Sequence, residues 1–241
     1  MSRIRPASAE AAVPLEGHPT PGLLSDFILG SQDGLVNVLG ILLGLASAGE
    51  GRAVILVATV AALAAETISM AAVAYTSTRA RRQFYLAEQD RERWEMEHLP
   101  DAERQEVREI LDRWGFEGEE REDLLDRIVR KPKAMLDLMM AFELHLAPVS
   151  AEQPQRSALI VGLATVVGSV IPILPFLLTA NVPLAAAAAV VLAGGMLFAI
   201  GWYEARTTVG SLWRSGLRML VIGLAAGFAG FLVGILLHDL P

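Results

Sequence analysis

The chain has 241 residues, 53% of them hydrophobic and only 20% charged, with a formal net charge of −7. Charged residues usually make up about a quarter of a soluble globular domain, so one ordinary soluble domain is excluded. The acidic balance argues against nucleic acid as a partner, because phosphate binding needs a basic surface. The absence of cysteine excludes disulfides and thiolate metal sites.

Residues 1–22 are rich in proline and alanine, lack the apolar core of a signal peptide, and read as a mobile tail. Five apolar segments follow, at 27–48, 53–76, 159–179, 184–203 and 217–237. Each has the length, roughly 20 residues, that a helix needs to cross a bilayer. Most of the charge lies between the second and third. The expected fold is therefore an all-α, multi-pass membrane protein with five transmembrane helices. Helices 1 and 2 occupy 23–78, a polar helical insertion occupies 79–155, and helices 3–5 occupy 156–241. Small residues recur four apart, at Gly30/Gly34, Gly40/Gly44, Gly223/Gly227 and Gly230/Gly234, a spacing that lets helix backbones approach in lipid. Pro172 and Pro175 are expected to kink or break the third span.

Orientation follows from the arginines. Arg3, Arg5, Arg79, Arg81, Arg82, Arg156, Arg206, Arg214 and Arg218 all fall on one side of such a bundle, and Arg52 alone on the other. Basic residues favour the cytoplasmic face, which puts the N-terminus and the insertion in the cytoplasm and the C-terminus outside. Within the insertion, residues 79–98 continue the second span. Pro100 restarts a helix that stops at Gly115, another runs over 119–130, and Pro132 opens a last one ending near Pro148. Ile110, Leu111, Trp114, Leu124, Leu125, Ile128 and Val129 supply a small core.

Asp26, Asp33 and Asn37 form one stripe on the first span, and Glu66 and Met70 stand one turn apart on the second. No Lys, Arg or His lies within these two spans to neutralise the acids. A carboxylate at membrane depth costs roughly 2.5–3.5 kcal/mol on insertion scales, so it normally faces a bundle interior or a polar path. Two readings stand open: a cation pathway, or, for Asp26, a helix cap at the interface. In the insertion, Glu92/Glu95 and Glu103/Glu106 are acidic pairs on successive helices that a turn at Leu99–Pro100 can bring together. Met139, Met140 and Glu143 share a surface of the last helix. Gathered carboxylates repel one another, and a divalent cation relieves the repulsion; thioether sulfur beside them favours softer transition metals such as Fe(II). The spacing alone equally allows a solvated acidic face whose charges pair with Arg91, Arg93, Arg104 and Arg108. Glu95-Met96-Glu97-His98 also matches one half of a ferritin-like di-iron site, which needs two such copies. A membrane-tethered di-iron oxidase and a metal-sensing membrane protein are therefore the alternatives.

Gln32-Asp33-Gly34-Leu35-Val36, Ser69-Met70-Ala71, the two acidic pairs and Met139-Met140-x-x-Glu143 together resemble the vacuolar iron transporter family, and this chain looks like a prokaryotic relative of the plant and yeast vacuolar importers. The resemblance runs from Leu24 to the C-terminus. It implies a transporter, not an enzyme: a homodimer in a prokaryotic cytoplasmic membrane that exports Fe(II) from the cytoplasm in exchange for protons. Mn(II) and other divalent transition metals are further candidate substrates, and no organic cofactor is implied. The implied membrane pathway is Asp33 and Met70, with Asp26 guiding the ion and Glu66 as ligand or proton carrier. The implied cytoplasmic metal site is Glu92, Glu95, Glu103, Glu106, Met139, Met140 and Glu143. One departure is visible. Many members follow Ser-Met-Ala with Gly-Glu-Tyr, where this chain has Val73-Ala74-Tyr75, and Glu66 is the acid that can substitute.

Overall fold

The computed structural model describes residues 21–237, and among them every regular element is an α-helix. In order they are α1 (Pro21–Ser47), α2 (Arg52–His98), α3 (Pro100–Arg113), α4 (Gly118–Val129), α5 (Pro132–Phe142), α6 (Gln153–Leu178), α7 (Val182–Thr207) and α8 (Leu212–Leu237). The expected tail lies outside the described residues up to position 20, and its last two residues open α1. Five helices, α1, α2, α6, α7 and α8, are long and apolar enough to cross a membrane. The three short ones form the insertion between the second and third of them.

α1 is the helix on which the others assemble, packing against α2, α6, α7 and α8. Its Leu35, Val38, Leu39 and Leu42 are fully buried, against Phe176 of α6 and Leu197 of α7 among others. Glycine sets the distances. A Cβ on Gly168 of α6 would overlap the carbonyl oxygen of Ser31, and Cβ atoms on Gly230 and Gly234 of α8 would overlap the backbone of Gly40 and Gly44. The four-residue glycine spacing thus works as expected at the α1–α8 seam, where two pairs face each other.

The prolines of α6 do not break it. Pro172 and Pro175 are both buried inside a helix that continues to Leu178, and packing against neighbouring helices holds a membrane segment helical through such lost backbone bonds. The end of α6 is fastened from outside. Arg52 donates from Nε to the Phe176 carbonyl (2.6 Å) and from a terminal nitrogen to the Leu177 carbonyl (3.0 Å), two acceptors that a helix end leaves without partners.

α2 runs unbroken for 47 residues, about 70 Å at 1.5 Å per residue, so it carries the insertion rigidly below the membrane part. Leu99 leaves helical geometry, and Pro100 starts α3 in a new direction. Gly115, at φ +85°, follows the end of α3 as expected. α5 stops at Phe142, earlier than the proline at 148 suggested, because the backbone turns at His145 (φ 53°). The insertion core is Val107, Ile110, Leu111, Leu125, Met135 and Met139. Trp114 sits outside it, 47% exposed and edge-on to Phe142.

If backbone contact sets the α1–α6 distance, Gly168→Ala must push the helices apart or overpack. A loss of about 1–3 kcal/mol is expected, read as a lowered melting temperature in detergent. Gly195→Ala, whose added Cβ meets nothing within 4 Å, is expected to leave the melting temperature unchanged.

Candidate metal centre

The turn at Leu99 returns α3 along the end of α2, and Glu103 and Glu106 in the first turns of α3 meet Glu92 and Glu95. Carboxylate oxygens of Glu92, Glu95 and Glu103 come within 4.8 Å of one another. Glu143, the residue closing α5, joins from a third helix and faces Glu103 and Glu106. Glu92 and Glu103 are 3% exposed. One oxygen each of Glu92, Glu103 and Glu143 is enclosed without a hydrogen-bond partner. Buried polar atoms are normally paired, and the exceptions call for an explanation such as a bound ion.

The expected neutralising arginines are mostly engaged elsewhere. Arg104 pairs with Asp126 (2.5 Å) and Arg108 with Glu122 (3.1 Å), both tying α3 to α4, while Arg93 pairs with Asp90 (2.6 Å). Arg91 reaches Glu95 at 3.1 Å, at an exposed rim. The electrostatic consequence is one-sided. Burial, then the charges of Glu106, Glu92 and Glu143, pushes Glu103 up to about 8. Burial, with Glu106 and Glu92 behind it, lifts Glu143 to about 7. Glu92 is raised by burial and by Glu95, and Glu106 by burial and by Glu95.

The methionines divide. Met139 is fully buried within the apolar core of the insertion. Met140, 2% exposed, stands three residues before Glu143, one turn along the same side of the helix. His98 of the Glu-x-x-His sequence is exposed, stacks on Trp94 (ring centroids 4.5 Å), and sets Nδ1 2.8 Å from the Trp94 carbonyl oxygen. It lies outside the carboxylate group found among the described residues.

In the membrane part, Asp26 is not a cap. It is the sixth residue of α1 and accepts a hydrogen bond from the Ser157 hydroxyl of α6. Asp33 and Asn37 open onto a groove of about 700 Å³ between α1 and α8, floored by Gly40, Gly44, Gly230 and Gly234. Glu66 on α2 has both carboxyl oxygens enclosed without a hydrogen-bond partner, and the polar groups acting on it are Asn37 and Asp33 of α1. Met70 is half-buried one turn further along. Ala74, where the resemblance places an acid, is buried one turn beyond Met70 on the same side. Sequence reasoning missed Ser157 and Ser169; Ser169 is fully buried, with its hydroxyl unpartnered. The legible signal was the spacing Ser157, Thr165 and Ser169 on α6, a polar stripe of four-residue multiples in an apolar helix.

A carboxyl raised in the fold binds its proton more tightly there than in the unfolded chain. Stability is then greatest below the ordinary carboxylate value and is lost as pH rises toward that of Glu103, about 8. Metal-free protein in detergent is expected to melt progressively lower between about pH 4.5 and 8. Added Mn(II) should restore the loss, most strongly at the upper end, and Glu103→Gln should flatten the dependence.

Residues 24–235 match the model of the VIT family. The chain is 33% identical over 217 residues to "Vacuolar iron transporter 1" of Eucalyptus grandis and to that of Arabidopsis thaliana, covering 90% of this chain and 87% of each relative. It is 28% identical over 225 residues to "Vacuolar iron transporter" of Plasmodium falciparum, covering 90% of this chain and 82% of the relative. With a match that takes in five membrane-crossing helices and the acidic insertion alike, the chain belongs to the VIT family.

Proposed function

We propose that this protein exports divalent transition metal from the cytoplasm across a membrane, Fe(II) first and Mn(II) second, in exchange for protons. The observation that carries the reading is the convergence of Glu92, Glu95, Glu103, Glu106 and Glu143, with three enclosed oxygens unpartnered and Arg93, Arg104 and Arg108 turned to other acids. Such a group is more stable around a divalent cation than alone. The relatives named as iron transporters support Fe(II) as the ion. They come from plants and a protozoan, so a prokaryotic cytoplasmic membrane, expected from the resemblance, draws no support from them.

In this reading residues 79–155 collect the ion. The membrane units at 23–78 and 156–241 carry it past Asp26 to Asp33 and Met70. The working unit is a homodimer. Asp33 and Asn37 are exposed on a single chain, on a surface that would otherwise meet lipid, and a second copy against the α1–α8 groove would remove that cost. Glu66 takes the proton or the ion, since a bare carboxylate enclosed there is costly and either a bound proton or a bound cation relieves that cost. The side bearing Arg79, Arg81, Arg82, Arg156, Arg206, Arg214 and Arg218 is the cytoplasmic one.

Proteoliposomes are expected to move Fe(II) when the compartment opposite the metal is acidified, and to stop when the gradient is collapsed. Asp33→Ala should lower the flux at least roughly tenfold, the scale on which loss of metal-site groups acts. Glu103→Gln with Glu106→Gln should lower flux at scarce metal and leave saturating flux nearly intact. Saturable binding with no flux would replace transport by sensing.

A further inference from the structure

α7 and α8 form a hairpin whose turn spans Thr208 to Ser211. Small residues hold its end tight. Gly201 lies against the backbone of Ser215, and Gly216 lies against the ring of Phe198. Phe198, Trp202 and Trp213 close over this contact, with ring centroids 5.3, 5.9 and 6.0 Å apart. Yet Trp213 is 63% exposed, Tyr203 51%, and Val209 at the turn wholly so. Tryptophan and tyrosine at the ends of membrane helices mark the level of lipid headgroups.

The charge at this end is basic in an otherwise acidic protein. Arg206 closes α7, and Arg214 and Arg218 stand one turn apart on α8. Glu204 is the acid among them, 3.4 Å from Arg218. Arg206 and Arg214 are exposed and make no ion pair among the described residues. On α8, Trp213 and Leu217, both exposed, alternate with Arg214 and Arg218, so apolar and cationic side chains are offered at one height.

We propose that the α7–α8 turn binds the headgroup of an anionic phospholipid, with Arg214 and Arg218 on its phosphate and Trp213 along the glycerol and upper acyl chain. Guanidinium groups contact phosphate through paired N–H donors. A lipid fits better than a soluble anion because the cations are interleaved with exposed apolar side chains on a membrane-crossing helix. Each arginine near an anionic lipid surface contributes roughly fivefold in binding. This site is separate from the transport reading and does not depend on it.

The test uses full-length protein in detergent with Trp94→Phe and Trp114→Phe, which leaves Trp202 and Trp213 of the 4 tryptophans. It is titrated with phosphatidylglycerol or phosphatidylcholine brominated near the headgroup. Phosphatidylglycerol is expected to quench at a concentration roughly fivefold or more below that of phosphatidylcholine, and Arg214→Gln to remove about fivefold of the difference. Arg214 makes no ion pair among the described residues, so this variant tests binding and not folding. Arg127→Gln, in the insertion, should change nothing. Native mass spectrometry of the otherwise unaltered chain should retain phosphatidylglycerol over phosphatidylcholine, and lose that preference in Arg214→Gln. Equal quenching by the two lipids overturns the proposal. So does a preference that survives Arg214→Gln with Arg218→Gln, or complete displacement of the lipid by inorganic phosphate.

Discussion

Where Gly168 meets Ser31, and Gly230 and Gly234 meet Gly40 and Gly44, α1 lies backbone to backbone on α6 and α8. That contact leaves α1 little freedom in how it is turned. With its glycine faces on two neighbours and Leu35, Val38, Leu39 and Leu42 inward, the remaining stripe must carry Asp33 and Asn37. They emerge on the α1–α8 groove, while Asp26, lower on α1, meets Ser157. The placement of the acids is thus a consequence of packing, with no salt bridge among the described residues holding them there.

The same lack of counter-charge recurs in the insertion by another route. Here arginines are abundant, but α3 spends Arg104 and Arg108 on α4. Those bridges fix the angle between α3 and α4, and α3 in turn presents Glu103 and Glu106 to Glu92 and Glu95. The exposed ion pairs contribute little stability one by one. Their effect is to keep the guanidinium groups away from the acids, so the raised values of Glu103 and Glu143 reflect burial and mutual repulsion without an internal cation.

The long-range plan was legible because it rests on periodicity and length. Five spans, the continuous α2, the Pro100 restart and the facing glycine pairs each leave a local mark in sequence. What escaped was set by contacts between distant segments. Arg104 has acids within reach on its own helix and chooses Asp126 on another. Met139 joins the apolar cluster of Val107, Ile110 and Leu125, whose space a thioether fills, and that packing is not visible in its spacing from Glu143. Pro175 reads as a breaker locally but is overruled by burial, and the Arg52 hydrogen bonds one residue later fasten the end that follows. Ser157 leaves a mark in the polar stripe of α6, but its partner Asp26, 131 residues away, leaves none there.

Because α2 is unbroken, Glu66 and Glu92 are separated by 26 residues of one helix, about 40 Å. In the proposed transport reading, an ion held at the insertion must therefore be let go before it can reach the membrane acids. Tight binding by five ionised carboxylates would defeat that. Protons oppose it instead: with Glu103 near 8 and Glu143 near 7, part of the cluster is protonated at neutral pH, and every ion bound must displace protons. The repulsion that makes the cluster attract a cation also raises its proton affinity, so protons and a cation compete for it. If the insertion collects metal as proposed, a cluster built this way can concentrate the ion near the membrane while remaining able to release it.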